Sequence, residues 1–372
     1  MNGWSAAWAV MRNDLILFRT EAMATALNLV VPLNFLVLFI LFALSGGRAP
    51  VTVRQADQGV YGPALVSALR GAHTFAVTPV RTATAGLAAL ARSDSVAAIT
   101  VPRDFTSRLA AGSGVAVPVT INNLNVDFAD DIHRGLPLAI LDFYRQRFPG
   151  ALPVRWREVD AYRHNTGFLA YLAVSVETVA LLIGGLLVGG RGIAGEWDRG
   201  SVKALLLSPA PAWSIVAGKL AAGFTTGLGS ALLILAAVAG LGIRPLSWGP
   251  VFLVVAVMLL AFVSIGIAVG SLLRSTRALI AITMGVGLPL FFVSGPFGPI
   301  SWDTPAAAAI ARVFPVAYAN AILQQAFHGY WPLDVSPATA WSVLAAWSVA
   351  ALVASAWAYR RSTRGRRSAA MQ

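Results

Sequence analysis

Apolar and polar positions fall in long blocks along this chain. Between residues 4 and 20, Trp4, Trp8, Met11, Leu15 and Phe18 recur at spacings of three and four, with Arg12, Asn13, Arg19 and Glu21 largely off that stripe. This periodicity predicts an amphipathic helix over residues 1–21, lying in a membrane interface or packed on the body of the protein. Residues 22–44 carry no charge. At ~1.5 Å per residue they reach across a ~30 Å hydrocarbon core, with Pro32 as a kink. Such a run reads as a first span, too long for the core of a cleavable signal.

From 45 to 165 the pattern changes to short alternating segments with scattered Arg and Asp. Strands are expected near 51–54, 75–80, 96–101 and 115–121, with helices at 61–70, 82–92, 102–111 and 130–148 between and after them. Pro102 would start its helix and Pro118 would confine the last strand to an edge. Strands alternating with helices predict a small α/β domain with a mostly parallel sheet. No glycine fingerprint follows a strand, so no nucleotide site is assigned there.

Apolar runs then return at 167–190, 213–241, 251–273, 278–293 and 339–359, which makes six spans with the first. Residues 166–360 thus hold spans two to six. Within them, 191–212 is a loop, and 294–337, rich in Pro, Gly and Trp, is a re-entrant segment. Residues 361–372 form a basic tail. Only 12% of residues are charged against 57% hydrophobic, whereas soluble domains carry about 25% charged. The net charge of +12 flanks the apolar runs instead of forming one basic face, which argues against nucleic acid. Clusters at Arg12/Arg19, Arg191 to Lys219, Arg274/Arg277 and the tail fall on one side of six spans. The positive-inside rule makes that side cytoplasmic, both termini included, and puts the 45–165 domain outside. Cysteine is absent, which excludes disulfides and thiolate chemistry.

Candidate chemistry is sparse. The loop contains Glu196, Asp198, Arg199, Gly200, Ser201, Val202 and Lys203, then Leu205, Leu206, Leu207, Ser208 and Pro209. Ser201 is placed to cap a short helix ending at Leu207, which Pro209 and Pro211 stop. Such a helix either docks in another protein's groove or packs on its own spans. Lys219 reads as a membrane-surface anchor. Glu177, near the middle of the second span, costs ~2.5 kcal/mol or more if charged. It either joins a substrate passage or makes a structural hydrogen bond; Tyr171, Ser175 and Thr178 share a different face. Pairs at Gly185/Gly189, Gly223/Gly227 and Gly266/Gly270 suit helix packing within the chain better than a dimer seam. His73, His133, His164 and His328 are scattered, and Asp127, Asp130, Asp131 and His133 fit an acidic helix start. No metal ligands or catalytic residues are assigned. Gly218-Lys219 runs on into Leu220, so no G-x-x-x-x-G-K-[ST] phosphate loop exists.

Glu196, Arg199, Gly200-Ser201, Leu205-Leu206, Ser208-Pro209 and Gly218-Lys219 together resemble the signature of ABC-2 type transporter permeases, with Ser201 replacing the usual Thr. Ser294-Gly295, Pro299, Phe314-Pro315 and Tyr318-Ala319 are similar to the family's outer re-entrant block. Val101 to Phe105 resembles an element of members with a large outer insert, and the daunorubicin and multidrug-resistance exporters are the nearest subgroup. The resemblance implies a permease subunit, not itself an enzyme, in the plasma membrane of a bacterium. It also implies a separately encoded ATPase in two copies that binds the ATP and magnesium, and a second permease chain, identical or not. Residues Glu196 to Pro209 become the ATPase-coupling segment, and the cargo a hydrophobic or amphipathic drug, lipid or peptide. An ion-coupled carrier, or a scaffold or receptor with an outer binding domain, are the alternatives. The carrier lacks intramembrane charges on several spans, and the scaffold leaves the loop without a role.

Overall fold

The computed structural model describes residues 2–20, 22–45, 48–92, 94–122, 126–148, 167–300 and 304–370. Glu21 and His164 lie outside them, as do the side chains of Asp127, Asp130, Leu206, Arg364, Arg366 and Arg367. The chain divides into two compact units, Leu44–Ala161 and the rest.

The smaller unit is an α/β fold. Strands β1 (Ala49–Gln55), β2 (Phe75–Pro79), β3 (Ala97–Val101) and β4 (Val119–Ile121) form one sheet in the order β2-β1-β3-β4. β1 runs parallel to both neighbours, and β4 is antiparallel on the β3 edge. Valines and isoleucines at alternate positions put Val51, Val53 and Ile99 on one face. That face is covered by α3 (Tyr61–Gly71) and α6 (Val126–Arg147), with Leu69, Ile132 and Phe143 fully buried. The opposite face takes α4 (Ala83–Ala91), where Gly86 comes down onto Thr52. The Thr82 hydroxyl caps α4 by accepting from the Ala85 N–H at 3.2 Å. The predicted alternation stands with two differences. The helix expected at Pro102 begins as α5 at Phe105 (Phe105–Ala110). The strand expected from 115 pairs only beyond Pro118, which has no N–H for the ladder.

The larger unit is helical. α1 (Gly3–Thr20) and α2 (Ala22–Ser45) come first. α7 (Phe168–Val179) continues through a π-helical segment, Ala180–Gly184, into α8 (Gly185–Asp198), a single rod of 31 residues. The short α9 (Val202–Leu207) leads to α10 (Ala212–Gly240) and α11 (Trp248–Leu273). α12 (Thr276–Ile282), a second π-helical segment and α13 (Leu288–Phe292) form a shorter apolar rod around Pro289. α14 (Pro305–Val313) and α15 (Pro315–His328) meet at 91°, and α16 (Pro337–Ala370) closes the unit. Four helices are long and apolar enough to cross a membrane among the described residues, five with the bent pair. Exposed Leu232, Leu233, Phe252, Leu253, Val349 and Val353 give α10, α11 and α16 apolar outer faces.

One sequence expectation is corrected and another is refined. Residues 191–198 are the last two turns of α8, not loop, because the glycines at 185, 189 and 190 pack on a neighbour and carry the helix onward. In α1, the buried face is Ala6, Ala7 and Asp14, against α10, while Trp4 and Trp8 stay exposed. The helix thus packs by its small residues and leaves Trp4 and Trp8 of the predicted stripe facing outward.

α8 and α11 approach closely through glycine. A Cβ on Gly189 would overlap the Val263 carbonyl, and one on Gly266 the Leu186 carbonyl. The glycine pairs thus serve packing within the chain. Gly189→Leu is expected to cost about 3 kcal/mol or more by overpacking, read as aggregation on size-exclusion chromatography in detergent. A monodisperse variant melting like the parent would contradict that seam.

Candidate coupling site

One end of the helical unit is built around a buried ammonium. Lys219 sits two turns into α10 and is only 2% exposed. Its Nζ donates to Asp14 Oδ1 and Oδ2 at 3.1 and 3.0 Å and to Glu196 Oε1 at 3.2 Å. Lys219 is therefore not a surface anchor but the centre of an ion cluster joining α1, α8 and α10. Burial pushes the Asp14 carboxyl up, against the pull of Lys219.

Small residues make the cluster sterically feasible. Gly218 lets the α1 backbone rest on α10 near Ala7, and Gly192 leaves room for the Asp14 carboxylate. Trp4 and Trp213 close the outer end of this contact edge-to-face, centroids 5.3 Å apart.

Ser201 does not cap α9: its hydroxyl donates instead to the second oxygen of Glu196. The reason is that Gly200, at φ +73°, turns the chain so that Ser201 lies over the end of α8. A second set of contacts holds the same turn. The Arg274 guanidinium lies 4.5 Å over the Trp197 ring and donates to the Ser362 carbonyl at 3.0 Å. Asp198 accepts from the Thr276 N–H at 3.0 Å. The end of α8 is thereby tied to α1, α10, α12 and α16.

α9 projects from this base. Val202 is its buried anchor, Leu205 is half-buried, and Lys203 and Leu207 face outward, Leu207 67% exposed. Arg199 and Pro209 are also exposed, and the Ser208 hydroxyl donates to the Leu205 carbonyl at 3.0 Å. The predicted segment is thus divided in two: Glu196, Asp198, Ser201 and Val202 fix the base, and Lys203 and Leu207 face outward. The partners Asp14, Lys219, Trp197, Thr276, Arg274 and Ser362 were not legible as a group. A lysine inside an apolar run, in a chain whose other cations are nearly all Arg, is the one signal the sequence holds for them.

A family model described as ABC-2 family transporter protein matches residues 24–357. This chain belongs to that family. No curated protein matches it. ABC-2 permeases are transmembrane subunits, not catalysts themselves, and work with ABC ATPase partners.

In this ABC-2 permease, the first third of the α7–α8 rod holds Glu177. It is 1% exposed, and neither carboxylate oxygen has a hydrogen-bond partner among the described residues. A polar network occupies the other side of α7. Gln324 Nε2 donates to the Tyr171 carbonyl at 3.1 Å and to the Ser175 hydroxyl at 3.3 Å. Ser175 donates to Asn320 Oδ1 at 3.2 Å, while Asn320 Nδ2 and the Tyr171 hydroxyl both donate to the Gly295 carbonyl. Ser175 and Tyr171 share this face as expected, and α15 supplies the partners. An apolar cavity of about 210 Å³ between the two π-helical segments is lined by Leu182, Phe262, Thr283, Val286 and Trp347 among others.

Proposed function

We propose that this ABC-2 permease exports a hydrophobic or amphipathic molecule such as a drug, lipid or peptide across the plasma membrane. Two permease chains and two copies of a separately encoded ATPase form the working unit, with ATP and magnesium held by the ATPase. In this reading the chain has six spans, counting the helices at 22–44 and 278–293, with both termini and the coupling end in the bacterial cytoplasm. The α/β unit lies outside, and the bent α14–α15 pair re-enters the outer leaflet.

The observation that carries the reading is the buried Asp14–Lys219–Glu196 cluster beneath α9. A short helix on a flexible loop would absorb a push. A helix whose base is bonded to four others passes the push to the spans. Closure of the ATPase pair against Lys203 and Leu207 would then tilt the α7–α8 rod and α10 together.

Glu177 takes part in passage. A buried acid without a hydrogen-bond partner costs stability, and its place beside a π-helical segment marks a point where the helix is already deformed. The test is ATP-dependent efflux of a hydrophobic dye from cells making the permease with its ATPase. Efflux is expected from the parent, and at least about a tenfold loss from Glu177→Leu, a ~1.4 kcal/mol effect. Absence of efflux by the parent contradicts the export reading. Unchanged efflux with both Glu177→Gln and Glu177→Leu removes Glu177 from the pathway.

A further inference from the structure

The α/β unit has a cleft that the coupling mechanism does not use. The chain leaves β1 for β2 on one side and then crosses back to β3 on the other, so its direction reverses at β1. In open parallel sheets, the carboxyl ends of the strands at such a reversal form the crevice where ligands sit. Here that edge opens into a cleft of about 530 Å³ lined by Arg54, Gln55, Ala56, Gln58, Arg81 and Arg103.

Each parallel strand contributes one arginine. Arg54 is the penultimate residue of β1, Arg81 lies just past β2, and Arg103 just past β3. No carboxylate lines the cleft. None of the three guanidiniums makes an ion pair or hydrogen bond among the described residues. Two other arginines of this unit do pair: Arg92 with Asp94 at 2.8 Å and Arg108 with Asp104 at 3.6 Å.

The acid at this end of the sheet is already committed. Buried Asp57 accepts from the Gly62 N–H at 3.1 Å, the Thr106 N–H at 3.2 Å and the Thr106 hydroxyl at 2.6 Å. It bridges the starts of α3 and α5. Burial pushes the Asp57 carboxyl up, but these donors outweigh it and hold it below the ordinary range. Its charge is thus spent on two helix starts and does not neutralise the arginines.

We propose that this cleft binds a multiply charged anion of the phosphoryl class. Guanidinium forks match phosphoryl oxygens two at a time, and the Gln55 and Gln58 amides add donors of the same kind. The cleft is wide enough for the charged group plus a body attached to it. Such an anion is either dissolved or carried on a lipid headgroup.

The test uses the intact chain in phosphatidylcholine nanodiscs, titrated calorimetrically with inorganic pyrophosphate. In a second arm the same discs meet phosphatidylcholine vesicles doped with phosphatidic acid, and co-flotation is measured. Arg54→Gln, Arg81→Gln and Arg103→Gln are each expected to weaken binding about tenfold or more, as loss of a charge-assisted contact does. Arg92→Gln and Arg108→Gln, whose partners lie outside the cleft, are expected to leave it unchanged. Pyrophosphate binding identifies a dissolved ligand, and cleft-dependent flotation without it identifies a lipid headgroup. Binding in neither arm, or an equal loss in the Arg92 and Arg108 variants, overturns the proposal.

Discussion

Lys219→Met is expected to prevent accumulation of folded permease. The substitution keeps most of the length of the side chain but removes the buried ammonium bonded to both Asp14 and Glu196, whose carboxylates then face each other with the charge of the exposed Arg199 to offset them. Breaking a buried ion group by removing one member costs about 3–5 kcal/mol, a large share of the ~5–15 kcal/mol that holds a folded protein together. Asp14→Asn or Glu196→Gln alone leaves one carboxylate matched to one ammonium. Each is expected to cost only about 1.5–3 kcal/mol, the range for hydrogen bonds to charged groups. The combined Asp14→Asn, Glu196→Gln, Lys219→Met variant is expected to accumulate again, because no isolated charge remains buried. Size-exclusion chromatography and thermal melting in detergent report all of these. A Lys219→Met protein that melts like the parent would show that the cluster contributes nothing to the fold.

Leu207→Asp is expected to separate the permease from its ATPase without disturbing the permease itself. Leu207 is exposed and touches little of its own chain, so the fold has no reason to respond. In a docked complex an apolar residue projecting from a short helix is the kind of anchor whose loss costs about 2 kcal/mol or more. Burying a carboxylate in its place adds to that. Affinity should fall about 30-fold or more, read as loss of the ATPase on co-purification and loss of permease-stimulated ATP hydrolysis. Lys203→Glu, at the rim, should act more weakly and more strongly at low salt.

The architecture was legible where one period dominated a stretch. The valines of β1, the Ala/Leu pattern of α4 and the uncharged run that forms the helix α2 each left one reading of the local structure. Elements went wrong where a contact from elsewhere decided the outcome. Residues 191–198 looked polar enough for a loop, yet Glu196 and Asp198 are satisfied by Lys219 and Thr276, and the helix runs on. Ser201 had the right type and place for a cap, but its hydroxyl bonds Glu196 more directly. The face of α1 that packs was hidden because alanine and glycine leave little mark on a hydrophobic pattern beside tryptophan. The site itself was half legible: the outward residues of α9 lie in one short stretch, whereas their base is assembled from five helices far apart in sequence. The cleft arginines were invisible for the same reason, since each sits at the end of a different strand.

The most direct test of the coupling site is a photo-cross-linking amino acid placed at position 207 in the native host. Irradiation is expected to join the permease to a chain carrying an ATP-binding phosphate loop, with no such product when the label stands at exposed Val349 on α16. If that ATP-binding chain co-purifies with the permease yet never cross-links from Leu207 or Lys203, α9 is not where the motor docks.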